Sequence, residues 1–388
     1  MTPAVTDSVR RAFETRFGKE YTLVRAPGRV NLIGEHTDYN EGYVLPAAID
    51  RAIYLAVNPS GGNQYHMVSL DLNQAFDVPA NSYARSELGW PDYLQGVLAE
   101  LGAMGIAVPA VDVVFGGDIP IGSGLSSSAA LTTGFAFALN HMFNMGLDRI
   151  AIARLGQRAE NNFVGMKCGI MDQFASVLGR EKTLLQLDCR DLSYTFVPFN
   201  RTDVRIVLCD THVKHSHAGG EYNVRRSQCE AGVEILKRHY PDVSSLRDVS
   251  ADMLQAHKQE MDEVAYRRCS YVIAENQRVA AACKALSADD LNSFGVAMNG
   301  SHYGLRDEYE VSCPELDALQ SVAEKTPGVL GSRMMGGGFG GCTINLVEEP
   351  ALDGFQKTLG EAFRQKLGKE PIIHVCQLRG GTEVLIKE

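Results

Sequence analysis

The sequence predicts an α+β protein folded in two lobes, with a ligand cleft between them. Three observations predict it. The first half of the 388-residue chain alternates strand-like and helical segments. From about 221 to 325 helical periodicity dominates, and strand character returns at 341–348. Residues 111–130 run strand, glycine loop, hydroxyls, helix, an arrangement suited to holding phosphate. The length exceeds one small core and suits two ordinary domains. Residues 1–200 and 201–388 are the expected lobes, with the polar stretch 200–202 at the join.

Asp7, Arg10, Arg11 and Glu14 among Val9, Phe13 and Phe17 read as a surface helix rather than a signal peptide. Strands are expected near 21–33, 43–57 and 111–116, and helices near 91–104, 127–143 and 148–163. Arg205-Ile206-Val207-Leu208-Cys209 reads as a further strand. The run Gly122-Ser123-Gly124-Leu125-Ser126-Ser127-Ser128-Ala129-Ala130 carries the most chemistry. Its glycines let the backbone turn tightly and approach a ligand. Its serines sit where a helix begins, and a helix N-terminus offers free N–H groups and partial positive charge. Leu131, Phe135, Leu139 and Met142 then recur at helical spacing. A plain serine-capped turn would look similar. The only Gly-Lys pairs are each followed by Glu, so there is no Walker A loop.

Apolar content of 45% and charged content of 22% fit a soluble globular protein. A net charge of −10 argues against nucleic-acid or anionic-membrane partners. No apolar run approaches membrane-helix length. Nine cysteines with no CxxC pair point to a reducing compartment, hence the cytoplasm. His212, His215 and His217 fit no standard zinc framework. Gly336-Gly337-Gly338-Phe339-Gly340-Gly341 satisfies GxGxxG, but a strand follows where a dinucleotide fold needs a helix. It reads instead as a loop whose backbone comes close to something.

The segment 26–39 crowds Arg29, Glu35, His36 and Asp38 around Gly28 and Gly34, beside the half-apolar Asn31-Leu32-Ile33. Polar groups next to buried ones suggest a grip on a ligand with many hydroxyls. This segment resembles the galactokinase signature, and 120–130 and 333–342 resemble the second and third motifs of the GHMP kinase superfamily. Cys168-Gly169-Ile170-Met171-Asp172-Gln173, Glu221-Tyr222-Asn223-Val224-Arg225-Arg226, and Leu305-Arg306-Asp307 through Cys313-Pro314-Glu315-Leu316 also match, in family order. One departure is Arg333-Met334-Met335, where the family usually shows Arg-Met-Thr.

The resemblance implies a ribosomal-protein-S5-like N-terminal lobe and a ferredoxin-like C-terminal lobe, with the active site in the cleft. It implies ATP-dependent phosphorylation of galactose at its anomeric hydroxyl, with Mg²⁺ as cofactor, by a monomer. Asp172 is then the candidate base and Arg29 the group that keeps it ionised and steadies the transferring charge. Glu35, His36, Thr37, Asp38 and Tyr222 are the expected sugar contacts, although Tyr222 also suits a core position. Gly122, Ser123, Gly124, Leu125, Ser126, Ser127 and Ser128 are expected to cradle the phosphates, and Ser69 to reach the nucleotide. Ser128 and Glu160 are the expected Mg²⁺ ligands, since that ion needs few hard oxygens beside the phosphates. Taken alone, Glu160 would read as a solvated helix face. Two other readings stay open: a kinase for N-acetylgalactosamine or another small alcohol, and a sugar sensor without catalysis. The intact Ser128-Ala129 pair, with Asp172 and Arg29, speaks against the sensor.

Overall fold

The structure, a computed structural model, describes residues 3–120, 122–213 and 218–387. His215 and His217 therefore lie outside the described residues. The expected two-lobed α+β architecture is what the chain adopts.

The first lobe is built on a six-stranded sheet in the order Glu383–Lys387, Thr22–Asn31, Pro46–Pro59, Val111–Gly117, Gln64–Ser69, Gln74–Pro79. Its pairings are antiparallel except that Gln64–Ser69 runs parallel to Val111–Gly117. The helix Pro3–Phe17 covers one face, setting Val9 and Phe13 on Leu23, Tyr54 and Val114. The helix Ser127–Phe143 covers the other with Phe135 and Leu139. Thr22–Asn31 is consequently buried at all ten positions, as a strand covered on both sides must be. The last strand returns to this sheet, so the end of the chain is built into the layer its beginning forms.

The second lobe carries a four-stranded antiparallel sheet in the order Val329–Met334, Cys342–Glu348, Val204–Asp210, Ile372–Cys376. Helices Pro314–Ala323 and Leu352–Leu367 bury Leu319, Phe355, Leu359 and Phe363 against Val207, Cys209 and Val347. Ile206, Leu208, Ile344 and Leu346 point the opposite way, into the main core with Phe294 and Met298. Helices Ala218–Lys237, Glu263–Ser287 and Leu291–Asp307 supply the helical stretch that periodicity predicts. A third, three-stranded sheet is formed by Tyr43–Val44, Thr183–Asp188 and Tyr194–Pro198.

The expected helix at 148–163 is real but changes pitch. Asp148 caps it by accepting from the Ala151 amide at 2.7 Å. Regular α-helix runs over Arg149–Arg158, and a wider π-helical turn, Ala159–Val164, follows. Such turns are rare and are frequently found at functional sites. Among the described residues, no helix is long and apolar enough to cross a membrane.

Candidate active site

A cavity of about 310 Å³ lies between the lobes, walled by segments from both. At one end the helix Ser127–Phe143 begins. Its N-cap, Ser126, is held in the left-handed region (φ 61°) and makes no side-chain capping bond. The Ser126 hydroxyl donates instead to Asp172 Oδ2. The first-turn amides thus stay available to an anion, and Gly122 to Ser128 all line the cavity. Gly124 (φ 76°) and Gly336 (φ 84°) meet backbone to backbone. A β-carbon on Gly336 would stand 3.2 Å from the Gly124 carbonyl oxygen, so side chains here would push the two loops apart.

Arg29 projects from the Thr22–Asn31 strand, and Asp172 from the first turn of the helix Met171–Leu178. Arg29 Nε lies 2.7 Å from Asp172 Oδ1 and Nη2 2.9 Å from Oδ2, a bidentate fork. Arg29 Nη1 also donates to the Gly124 carbonyl at 2.5 Å. Arg29 is 4% exposed and the Asp172 side chain 28%, so the carboxylate opens to the cavity while the guanidinium stands behind it. Asp172 does not cap its own helix, whose N-cap is Ile170.

The π-helical turn delivers Glu160 to the same wall, 3% exposed. Gln173 Nε2 donates to its carboxylate at 2.8 Å and Thr132 Oγ1 at 3.3 Å, and Ser128 bonds it as well. Burial, with some help from the Asp172 charge, pushes the Glu160 carboxyl up to about 7, against the pull of those hydrogen bonds. A buried acid so placed, with a hydroxyl beside it, is a site short of positive charge. That donor set of hard oxygens fits Mg²⁺.

The opposite end is polar and closely held. Glu35 Oε1 accepts from Arg333 Nη2 at 2.9 Å and from the Gly336 amide at 2.8 Å. Asp38 accepts from the Tyr39 amide at 3.0 Å and the Met171 amide at 3.4 Å. Burial first, then the Asp172 and Glu35 charges, raise the Asp38 carboxyl to about 7. His36 bonds through Nδ1 to the Tyr39 hydroxyl at 2.8 Å, and Tyr39 meets Tyr309 at 2.7 Å. Burial lowers the His36 imidazole to about 3, and Arg225 and Arg333 push the same way, so it stays neutral. The Tyr222 ring stands 5.3 Å from those of both His36 and Tyr39, on the cavity wall rather than in an apolar core.

Arg29, Glu35, His36, Asp38, Glu160, Asp172, Tyr222 and the loop 122–128 are thus brought together. Two expected residues stand elsewhere. Thr37 is fully buried and donates its hydroxyl to the Gly34 and Tyr43 carbonyls, at 2.8 and 2.7 Å. It shapes the loop and does not line the cavity. Ser69 is buried at the end of its strand, where its hydroxyl accepts from the Leu72 amide at 3.4 Å, and it does not line the cavity either. Cavity residues that motif reading left out include Gln173, Gly336 and Gly337. Gln173 closes the Cys168–Gln173 motif, and the glycines belong to the run 336–341, so the signal for each was present.

Known proteins resemble this arrangement throughout. The galactokinase galactose-binding signature matches residues 11–59. The GHMP kinase N-terminal domain matches 92–180 and the GHMP kinase C-terminal domain 279–365. The galactokinase of Roseiflexus sp. (strain RS-1) is 41% identical over 97% of this chain and 96% of its own. That of Chloroflexus aggregans is 42% identical over 96% of each. The crystal structure of Lactococcus lactis galactokinase complexed with galactose superposes with a TM-score of 0.93 at 33% identity, covering 98% of this chain and 99% of the other. The Methanococcus jannaschii mevalonate kinase shares the fold alone, with a TM-score of 0.63 at 18% identity over 93% and 99%. Identity of this degree along nearly the whole chain, with both lobes matched, makes it a member of the galactokinase family.

Proposed function

We propose that this chain transfers the γ-phosphoryl group of ATP to the anomeric hydroxyl of α-D-galactose, giving α-D-galactose 1-phosphate and ADP. The observation that carries the reading is the Arg29–Asp172 fork, set beside the phosphate loop and opening toward a pocket of hydroxyl-binding groups. The galactose-binding signature and the kinship to galactokinases supply the sugar.

In this reading the loop 122–128 and the N-terminus of the Ser127–Phe143 helix hold the phosphates. Glu35, neutral His36, Asp38 and Tyr222 hold the sugar hydroxyls. A sugar lacking the matching hydroxyls would leave those buried groups unpaired, which is costly. Asp172 receives the proton of the attacking hydroxyl. Arg29 keeps that carboxylate ionised and faces the charge that spreads over the transferring group. Ser128 and Glu160 would hold Mg²⁺, which when bound neutralises phosphate charge. Residues 1–200 bring the phosphate loop, the fork and the metal ligands, and residues 201–388 bring Tyr222 and the 336–341 loop. All nine cysteines are free thiols, which supports a reducing, cytoplasmic setting.

The test is ADP release, coupled to a visible readout, with galactose, N-acetylgalactosamine and a panel of other sugars. Galactose is expected to be the favoured substrate. Silence across the panel, from protein that still binds galactose and ATP, would overturn the proposal in favour of a sensor.

A further inference from the structure

Far from the cleft, a second cluster gathers three metal-ligating side chains on the surface of the second lobe. The chain leaves the helix Ala218–Lys237 with the His239 and Tyr240 amides still bonded to the Leu236 carbonyl, and this turn presents the His239 ring. The helix Ala251–Ala256 ends at His257, and the 3₁₀ turn Lys258–Glu260 follows. The Glu260 amide bonds the His257 carbonyl at 3.0 Å, which fixes these two residues on one side of the turn. The two imidazoles stack, with centroids 3.7 Å apart and planes 18° from parallel. Both aim at one carboxylate. His239 Nε2 lies 2.8 Å from Glu260 Oε2, and His257 Nδ1 lies 2.8 Å from Glu260 Oε1. All three donor atoms fall within 4.8 Å of one another.

We infer that His239, His257 and Glu260 form a zinc site that joins the end of the Ala218–Lys237 helix to the segment before Glu263–Ser287. Two imidazoles and one carboxylate with solvent completing the shell are a donor set that Zn²⁺ accepts. Bonds of about 2.0–2.2 Å in tetrahedral geometry place ligand atoms roughly 3.3–3.5 Å apart. The two 2.8 Å separations are hydrogen bonds to different oxygens of Glu260, so the ion needs those pairs to open by about half an ångström and the stacked rings to turn until their lone pairs converge on it. The side chains have room for that: His239, His257 and Glu260 are 34%, 16% and 45% exposed. The neighbouring cation Lys258 is turned aside, its Nζ 4.8 Å from the Tyr266 ring centre. Tyr240 meets the His257 ring edge-on at 5.5 Å.

The site is distinct from the Mg²⁺ ligands of the cleft. Tyr222 lies near the start of the helix that His239 follows, which places the two about 25 Å apart along its axis. Zinc would therefore brace the lobe without entering phosphoryl transfer.

The experiment uses the full chain, freed of metal by chelator, with Co²⁺ as a visible probe and Zn²⁺ as competitor. One Co²⁺ per chain is expected to give low-symmetry d–d absorption that Zn²⁺ abolishes. One equivalent of Zn²⁺ is expected to shift the imidazole proton signals of His239 and His257 in the unmodified chain. His239→Ala and Glu260→Ala should each weaken Zn²⁺ binding by more than the roughly 100-fold that loss of a mere supporting group can cost. Both variants should keep Mg²⁺-dependent turnover, which also reports that they are folded. Zn²⁺ binding of undiminished strength in either variant, or imidazole signals that do not move, would overturn the inference.

Discussion

Asp38 lies so close to Gly169 that a β-carbon at position 169 would stand 2.1 Å from the Asp38 carboxyl carbon. The glycine is there because the carboxylate needs its space. Gly169→Ala is therefore expected to displace Asp38 and loosen the grip on the sugar. A misplacement of about 1 Å in a working group can cost on the order of 100-fold. The loss should appear mainly as a higher KM for galactose, with the KM for ATP little changed. Steady-state kinetics with each substrate varied in turn will show it; an equal rise in both KM values would contradict this role.

Asp172→Asn keeps the shape of the fork and removes the charge. Turnover is expected to fall by about 10²- to 10⁴-fold, the range that a positioned proton acceptor contributes. Calorimetry should still detect binding of galactose and of ATP. Near-normal kcat in this variant would remove Asp172 from the mechanism.

How much of this was legible in the sequence depends on distance along the chain. The loop 122–128 could be read from its own residues, because strand, glycines and helix start are local signals. The Arg29–Asp172 fork spans 143 positions and has no periodicity to betray it; only resemblance to a family paired the two. Glu160, read alone, would be a solvated helix residue, since a π-helical turn leaves no clear mark in composition. Thr37 and Ser69 stand off the cavity wall for a related reason. A hydroxyl in a motif says that a hydrogen bond is made, not whether its partner is ligand or backbone. The strands Gln64–Ser69 and Gln74–Pro79 escaped because both alternate weakly, and Gln74–Pro79 is a largely exposed edge strand.

Glu160 and Asp38 give the metal-free protein a defined pH dependence. Both carboxyls sit near 7 when folded, against 4.5 and 3.8 when unperturbed. The folded state thus binds more protons than the unfolded state between those limits, and stability falls as pH rises through the window. Thermal melting in chelator should show Tm declining from about pH 4 to about pH 7. Glu160→Gln should flatten part of that decline. The same variant should raise the Mg²⁺ concentration for half-maximal velocity by at least about 10-fold. An unaltered Mg²⁺ requirement would exclude Glu160 as a ligand.

Arg333 holds the two motifs at the sugar end together, and its removal should be felt in folding before catalysis. It is fully buried, and the Glu35 side chain is 2% exposed. Besides Glu35, its guanidinium donates to the Leu32, Asn31 and Met334 carbonyls, at 2.8, 2.5 and 2.8 Å. Removing one partner of a buried ion pair strands the other charge away from water, at a cost of about 3–5 kcal/mol. Arg333→Met is expected to lose that much in urea unfolding. Converting Glu35 as well, to Leu, removes the stranded charge and should restore part of the loss. Recovery will be incomplete, because Glu35 also accepts from the Gly336 amide, and the three carbonyls lose the guanidinium donor. A single Arg333→Met change costing under about 1 kcal/mol would mean that water reaches this pair, and that the lobes are held together elsewhere.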